Sequence, residues 1–228
     1  MTRHDALDIP IPDRIAAGQA LARLLSAYRG LPDAIVLALP RGGVPVAYEI
    51  ATELGVRLDL MLVRKLGVPG HAELAMGAIA SGGVRVLNRD VLDSLYIEEA
   101  AIEKVAARET EELQRRDRAY RGERPAPLLR GQQVILVDDG LATGATMQAA
   151  VKAVRLQSPA RIVVAVPVAP PETVATLRTQ VDEVVCPFMP AMLMAIGRWY
   201  VDFSQTSDQE VLSLLQRAWQ REIEQQQA

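Results

Sequence analysis

Two adjacent carboxylates, Asp138 and Asp139, followed at once by Gly140-Leu141-Ala142-Thr143-Gly144-Ala145-Thr146, are the residues of this chain best equipped to do chemistry. The small side chains let a ligand approach the backbone closely, and the Thr143 and Thr146 hydroxyls can donate and accept hydrogen bonds. Acids beside such a loop would repel a polyphosphate lying over them. They suit sugar hydroxyls, which donate hydrogen bonds, or a divalent metal, which takes hard oxygen ligands. No Lys follows Gly144, as it would in the phosphate loop of a nucleoside triphosphatase. Phosphate on the loop and hydroxyls on the acids together describe a ribose 5-phosphate.

The elements that must hold these groups are legible on either side. Val134-Ile135-Leu136-Val137 reads as a buried parallel strand, and Met147, Val151 and Val154 recur at helical spacing. The loop therefore joins a strand to a helix N-terminus, where free N–H groups and the positive dipole end suit a phosphate. An ordinary strand-to-helix turn would explain the small residues but not the acids. Upstream, Ala34 to Leu39 forms a buried strand that runs into Pro40-Arg41-Gly42-Gly43, with Pro45 opening a helix and Gly55 closing it. An Arg placed there can meet an anion in the crevice beyond the strand ends, or simply be a solvated arginine in a turn. Leu58 to Val63 reads as a second strand finished by Arg64-Lys65, expected at the same sheet edge as Arg41. Adjacent cations repel unless something negative compensates them. An anionic leaving group or a salt-bridged strand end would do so.

The Val134 to Thr146 stretch resembles the signature of the type I phosphoribosyltransferases: four apolar residues, two acids, then a loop rich in Thr and Gly. The resemblance implies transfer of the 5-phosphoribosyl group of phosphoribosyl pyrophosphate to a nitrogenous, nucleobase-like acceptor, with Mg²⁺ as cofactor and pyrophosphate as product. It gives Asp138 and Asp139 the ribose hydroxyls and the metal, and Ala142, Thr143, Gly144, Ala145 and Thr146 the 5-phosphate. Arg41, Gly42 and Gly43, in a loop that often holds a strained or cis peptide bond in this family, would face pyrophosphate. Arg64 and Lys65 would join them and count, with the two acids, as catalytic. Ala142 stands where the hypoxanthine-guanine type carries an Asp that assists the purine proton. The loop is closer to the adenine type, although Gly140 replaces a larger apolar residue. The Pro40 to Gly43 loop and the long C-terminal part also look like bacterial phosphoribosyltransferases of unassigned acceptor. The rival is a regulatory or sensor protein that binds phosphoribosyl pyrophosphate without turnover, motivated by Ala142 and the missing base. A third possibility is a phosphatase-like acid that becomes an aspartyl phosphate.

The whole pattern is α/β, a Rossmann-like three-layer fold on a central parallel sheet. Residues 1–228 are expected to form one domain: a core over 14–186, a flexible β-hairpin lid over 68–89 around Ser81-Gly82-Gly83, and a C-terminal hood and helix over 187–228. Asp13 can cap a first helix whose stripe is Ile15, Leu21, Leu24 and Leu25, after an irregular arm over Met1 to Pro12. In the lid, His71 and Glu73 are candidate acid or base groups, or solvated loop residues. Glu98 to Arg118 reads as a solvated helix with Glu111 and Arg115 in register, and Arg121 to Gly131 as a connecting loop. Arg161 to Pro167 and Val181 to Cys186 are further strands around a helix from Pro171 to about Arg178. Phe188, Trp199 and Tyr200 could stack a nucleobase, close the core or line a dimer contact. Ser207 and Glu210 make a capping box for a last helix, whose Gln-rich end should fray. The net charge of −3 gives no basic footprint for nucleic acid. A lone cysteine, Cys186, excludes an intramolecular disulfide, and no long apolar run suggests a membrane span. A cytoplasmic homodimer is the expectation.

Overall fold

A computed structural model describes residues 7–227, without the side chains of residues 72, 73 and 225–227. The Glu73 side chain and the first six residues of the expected arm therefore lie outside the described parts. The first strands, β1 (Ala34–Ala38) and β2 (Arg57–Leu60), pair in parallel. Next come β3 (Val63–Val68), β4 (His71–Ala80) and β5 (Val84–Leu87), which form a separate antiparallel sheet. The chain then returns through β6 (Gln133–Val137), β7 (Arg161–Ala165) and β8 (Glu183–Val185) to complete a five-stranded parallel sheet in the order β2-β1-β6-β7-β8.

Alternation along these strands builds three layers. Val36, Ile135 and Val163 face one side, with α1 (Arg14–Leu24), α2 (Gly43–Leu54) and α7 (Asp208–Gln227). Ile35, Val134 and Ile162 face the other, with α5 (Ala145–Arg155) and α6 (Pro171–Arg178). Both faces are covered, which is why β1 and β6 read as continuous apolar runs. A short α3 (Arg89–Ser94) and the long α4 (Glu99–Arg121) pack on the antiparallel sheet, where Leu66 and Met76 are buried against Ile102 and Ala106.

Several expectations change. Arg64 and Lys65 do not finish the second strand: the chain leaves the parallel sheet at Met61, whose N–H still donates to Ala38 O at 2.9 Å, and Val63 opens a new pairing with Ala80. The apolar residues Leu60 to Val63, which run on without a turn signal, concealed that switch, and the segment expected as a lid from residue 68 begins five residues earlier as a sheet. Ile15 is half exposed, because α1 meets α2 through small residues; a Cβ on Gly18 would fall 2.6 Å from Val46 O. On α4, Arg115 pairs with Glu112 at 2.8 Å rather than with Glu111.

Arg121, expected to begin a loop, is instead wholly buried, its Nε 2.8 Å from Asp59 on β2. Both N-caps form as expected; of the Ser207–Glu210 capping box the structure records the Ser207 half. Asp13 accepts the Ala16 N–H at 2.7 Å and Ser207 Oγ accepts the Glu210 N–H at 3.1 Å. Asp13→Ala should cost about 1 kcal/mol, read as a lower urea midpoint at unchanged slope; the loss would bear on the site because the residue after the cap is Arg14.

Candidate functional site

β6 delivers Asp138 and Asp139 to the carboxyl edge of the sheet, between the chain segments that follow β1 and β7. Asp138 is half-buried and Asp139 buried, and the Asp139 N–H donates to Asp138 Oδ1 at 2.9 Å. Burial, then the neighbouring Asp139 charge, push the Asp138 carboxyl well above its usual range. Asp139 is also raised by burial, with the Arg14 guanidinium working against it.

The Pro40 to Gly43 loop lies directly on this pair, and its Pro40–Arg41 peptide bond is cis. A Cβ on Gly42 would sit 2.0 Å from Asp139 Oδ2; one on Gly43 would sit 2.7 Å from Val137 O and 2.9 Å from Asp138 Cα. Only glycine allows that approach. The Gly43 N–H, expected to face an anion, donates to Leu39 O at 3.1 Å as α2 begins, which leaves the Arg41 and Gly42 amides for that purpose. The Arg41 side chain reaches Asp208 at the start of α7, with 3.9 Å between Nη1 and Oδ1.

Arg14 is the member of this cluster that the chain order hid. It lies 125 positions from Asp139, yet its Nε and Nη2 meet Asp139 Oδ2 at 2.9 and 2.8 Å. Its Nη1 donates to Ser204 O at 2.7 Å, and its guanidinium covers the Phe203 ring at 4.1 Å. The Asp139 carbonyl accepts the Tyr200 hydroxyl at 2.7 Å. Asp139 is thus gripped by the first helix and by the C-terminal segment together. Asp138, half-buried, is the more accessible of the two acids. The sole advance signal was the position of Arg14 just after a helix cap.

Beyond the acids, the loop is held from beneath. The Leu141 N–H donates to Val168 O at 2.9 Å and the Thr173 hydroxyl to Ala142 O at 2.8 Å. Gly144, at φ +70°, starts α5 where a Cβ would meet Thr173 Cγ2 at 2.7 Å. Ala142, Thr143, Ala145 and Thr146 are exposed above it. Thr143 Oγ1 accepts the Ala145 N–H at 3.4 Å, and the next N–H groups of this first turn have no intrahelical partner. Gly140 is explained by the hood: a Cβ there would strike Ile196 Cγ2 at 2.6 Å.

The remaining candidates separate. Arg64 lines a crevice with Pro40, Arg116, Tyr120 and Thr146, so it does reach the mouth of the site, but it is ion-paired to Glu109 at 2.6 Å. Lys65, next along β3, lines a different cavity. Tyr200 is buried, tilted against Phe203 with 4.8 Å between ring centroids, and in this arrangement presents no face for a base. Phe188 and Trp199, half-buried and packed edge to face at 4.9 Å, keep some surface. His71 is exposed at the start of β4. Cys186 is buried, and burial pushes its thiol up to about 12, so it is neutral and no nucleophile. Among the described residues no cluster of three or more His, Cys, Asp or Glu is placed to hold a metal, and no helix is long and apolar enough to cross a membrane.

The profile of the phosphoribosyl transferase domain matches residues 11–190. The crystal structure of TT1426 from Thermus thermophilus is similar, with 45% identity, coverage of 90% of this chain and 97% of that one, and a TM-score of 0.81. Two Mycobacterium tuberculosis proteins, from strains H37Rv and CDC 1551, carry the provisional name phosphoribosyl transferase and are each 47% identical over 206 residues. Those matches cover 90% of this chain but 46% of each relative, so the chain spans about half the length of the curated relatives it matches.

Proposed function

Since the chain belongs to the phosphoribosyl transferase domain family, we propose that it transfers the 5-phosphoribosyl group of phosphoribosyl pyrophosphate to a nitrogenous, nucleobase-like acceptor. The acceptor nitrogen bonds to C1 of the ribose as the bond from C1 to the pyrophosphate oxygen breaks, and pyrophosphate leaves. The observation that carries this reading is one of adjacency: an exposed small-residue loop opens α5 beside an acid pair, under an Arg-Gly loop from a different strand.

Each group then has a task. The amides at the start of α5, with the Thr143 and Thr146 hydroxyls, hold the 5-phosphate. Asp138 accepts from the ribose hydroxyls, while Asp139 is oriented by Arg14. Pyrophosphate is met by Arg41, the Arg41 and Gly42 amides, and Arg64 at the crevice mouth; Lys65 contributes field rather than contact. The carbon under attack develops oxocarbenium character, so fixed cations facing the departing anion matter more than ground-state grip. Phe188 and Trp199 are the surfaces left for the acceptor.

Mg²⁺ fits the donors present in one way. With Asp139 Oδ2 on Arg14 and Asp138 Oδ1 on the Asp139 N–H, the pair offers a partial carboxylate site, of the sort this ion completes with water and substrate oxygens. When bound, it would neutralise charge on the departing pyrophosphate.

Calorimetry with phosphoribosyl pyrophosphate and Mg²⁺ tests the proposal. Asp138→Asn should weaken binding by at least about tenfold, equivalent to about 1.4 kcal/mol, with the circular dichroism spectrum unchanged. Unchanged affinity would remove the acid pair from the ligand. Binding without turnover is the second reading, favoured by the exposed Ala142, which offers no proton. Pyrophosphate release with any of a panel of nucleobases would reject it.

A further inference from the structure

A cavity of about 760 Å³ lies between β3, the turn that follows it and α4, with neither acid of the pair in its lining. Its described lining carries four cations, Arg64, Lys65, Lys104 and Arg108, and one carboxylate, Glu109, over an apolar floor that includes Val68 and Val105. In a chain of net charge −3 this is a local reversal of sign.

Glu109 is what makes the lining more than a solvated helix face. The residue is 7% exposed. One of its oxygens, Oε2, accepts Arg64 Nε and Nη2 at 2.9 and 2.6 Å; the other, Oε1, accepts Arg108 Nε and Nη2 at 3.1 and 2.9 Å. Each guanidinium lends one edge to the acid and keeps Nη1 without a partner among the described residues. Burial acts to raise the Glu109 carboxyl, but the two guanidiniums outweigh it and hold it below its usual range. The carboxylate stays charged and works as a bracket, fixing two arginines before any ligand arrives.

We propose that this cavity binds an organic phosphate about the size of a mononucleotide, at a site that shares Arg64 with the crevice beside Thr146 but has neither acid of the pair in its lining. A phosphate monoester offers acceptor oxygens to guanidinium and ammonium donors. The apolar floor receives its organic body, and the volume falls within the range of small-ligand sites. Duplex nucleic acid fits less well, because it needs a basic stripe along an open face rather than cations converging from two elements on one cavity.

The test uses the whole chain and AMP as probe, with adenosine and inorganic phosphate as controls, followed by calorimetry. Lys104→Gln/Arg108→Gln should weaken AMP binding on the order of tenfold, while binding of phosphoribosyl pyrophosphate with Mg²⁺ to the same variant changes by less than about twofold. Lys104→Gln alone, at an exposed position outside the Glu109 bracket, should show part of the loss and guards against misfolding of the double variant. Adenosine should not bind, and inorganic phosphate should bind more weakly than AMP. Absence of AMP binding by the unaltered chain overturns the site. So does an affinity kept in the Lys104 and Arg108 variants, or binding by inorganic phosphate equal to AMP. Phosphoribosyl pyrophosphate with Mg²⁺, titrated in parallel, separates the two proposals: its binding without AMP binding sinks this one alone, and the converse sinks the transferase reading alone.

Discussion

Arg14→Met should lower the unfolding free energy by about 3 kcal/mol, and the melting temperature by roughly 6–12 °C for a chain of this length. Methionine keeps aliphatic bulk against Phe203 but leaves the Asp139 carboxylate buried, with Gly42 against it and no cation. Breaking a buried pair by removing one partner costs about 3–5 kcal/mol; the lower end applies because both side chains keep 12% exposure. Arg14→Met combined with Asp139→Asn should recover most of the loss, since the uncompensated charge leaves with its partner. Two single losses that simply add would show the pair is not coupled. The effect should extend to ligand affinity: Arg14 also grips Ser204 O, so its removal frees the hood segment and the acid in one step.

On the transferase reading, Gly43→Ala should weaken binding of phosphoribosyl pyrophosphate by about ten- to a hundredfold, the scale to which overpacking of about 1–3 kcal/mol at the ligand loop converts. The added methyl would lie 2.7 Å from Val137 O and 2.9 Å from Asp138 Cα, both backbone atoms at the end of a central strand. Neither can rotate away, as a side chain could. The strand is locked between β1 and β7, so the start of α2 must move, carrying Arg41 with it. Overpacking of this kind costs about 1–3 kcal/mol, so the protein should stay folded at 25 °C, and calorimetry beside a thermal melt would separate the two losses. Affinity within about twofold of the unaltered chain would show that the loop is not seated by its contact with β6.

What sequence made legible follows from the range of the interaction. The strand Val134 to Val137, the small-residue loop and the helix after it are local patterns, and periodicity and turn chemistry report them directly. The capping residues Asp13 and Ser207 act within one helical turn and could be read the same way. The bracket at Glu109 and the clamp at Arg14 could not, because each is a charge whose partner lies 45 or 125 positions away. Arg121 looked like the start of a loop for the same reason, its partner Asp59 being 62 positions upstream. The misread strand after Leu58 has another origin. An apolar run reports burial, and Met61 and Leu62 are buried whether the chain continues one sheet or crosses to a second.

The pairing of β1 with β6 joins segments separated by about 100 residues of chain, with the whole antiparallel sheet and α4 between them, and closing so long an excursion is entropically costly and slow. Each half of the site hangs from one of those strands: the Arg-Gly loop follows β1, the acids follow β6. A chain that had folded either half alone would hold no complete anion site. On the transferase reading, a ligand held across both halves would oppose reopening of this seam, lending the protein protection against proteolysis that neither half could gain by itself.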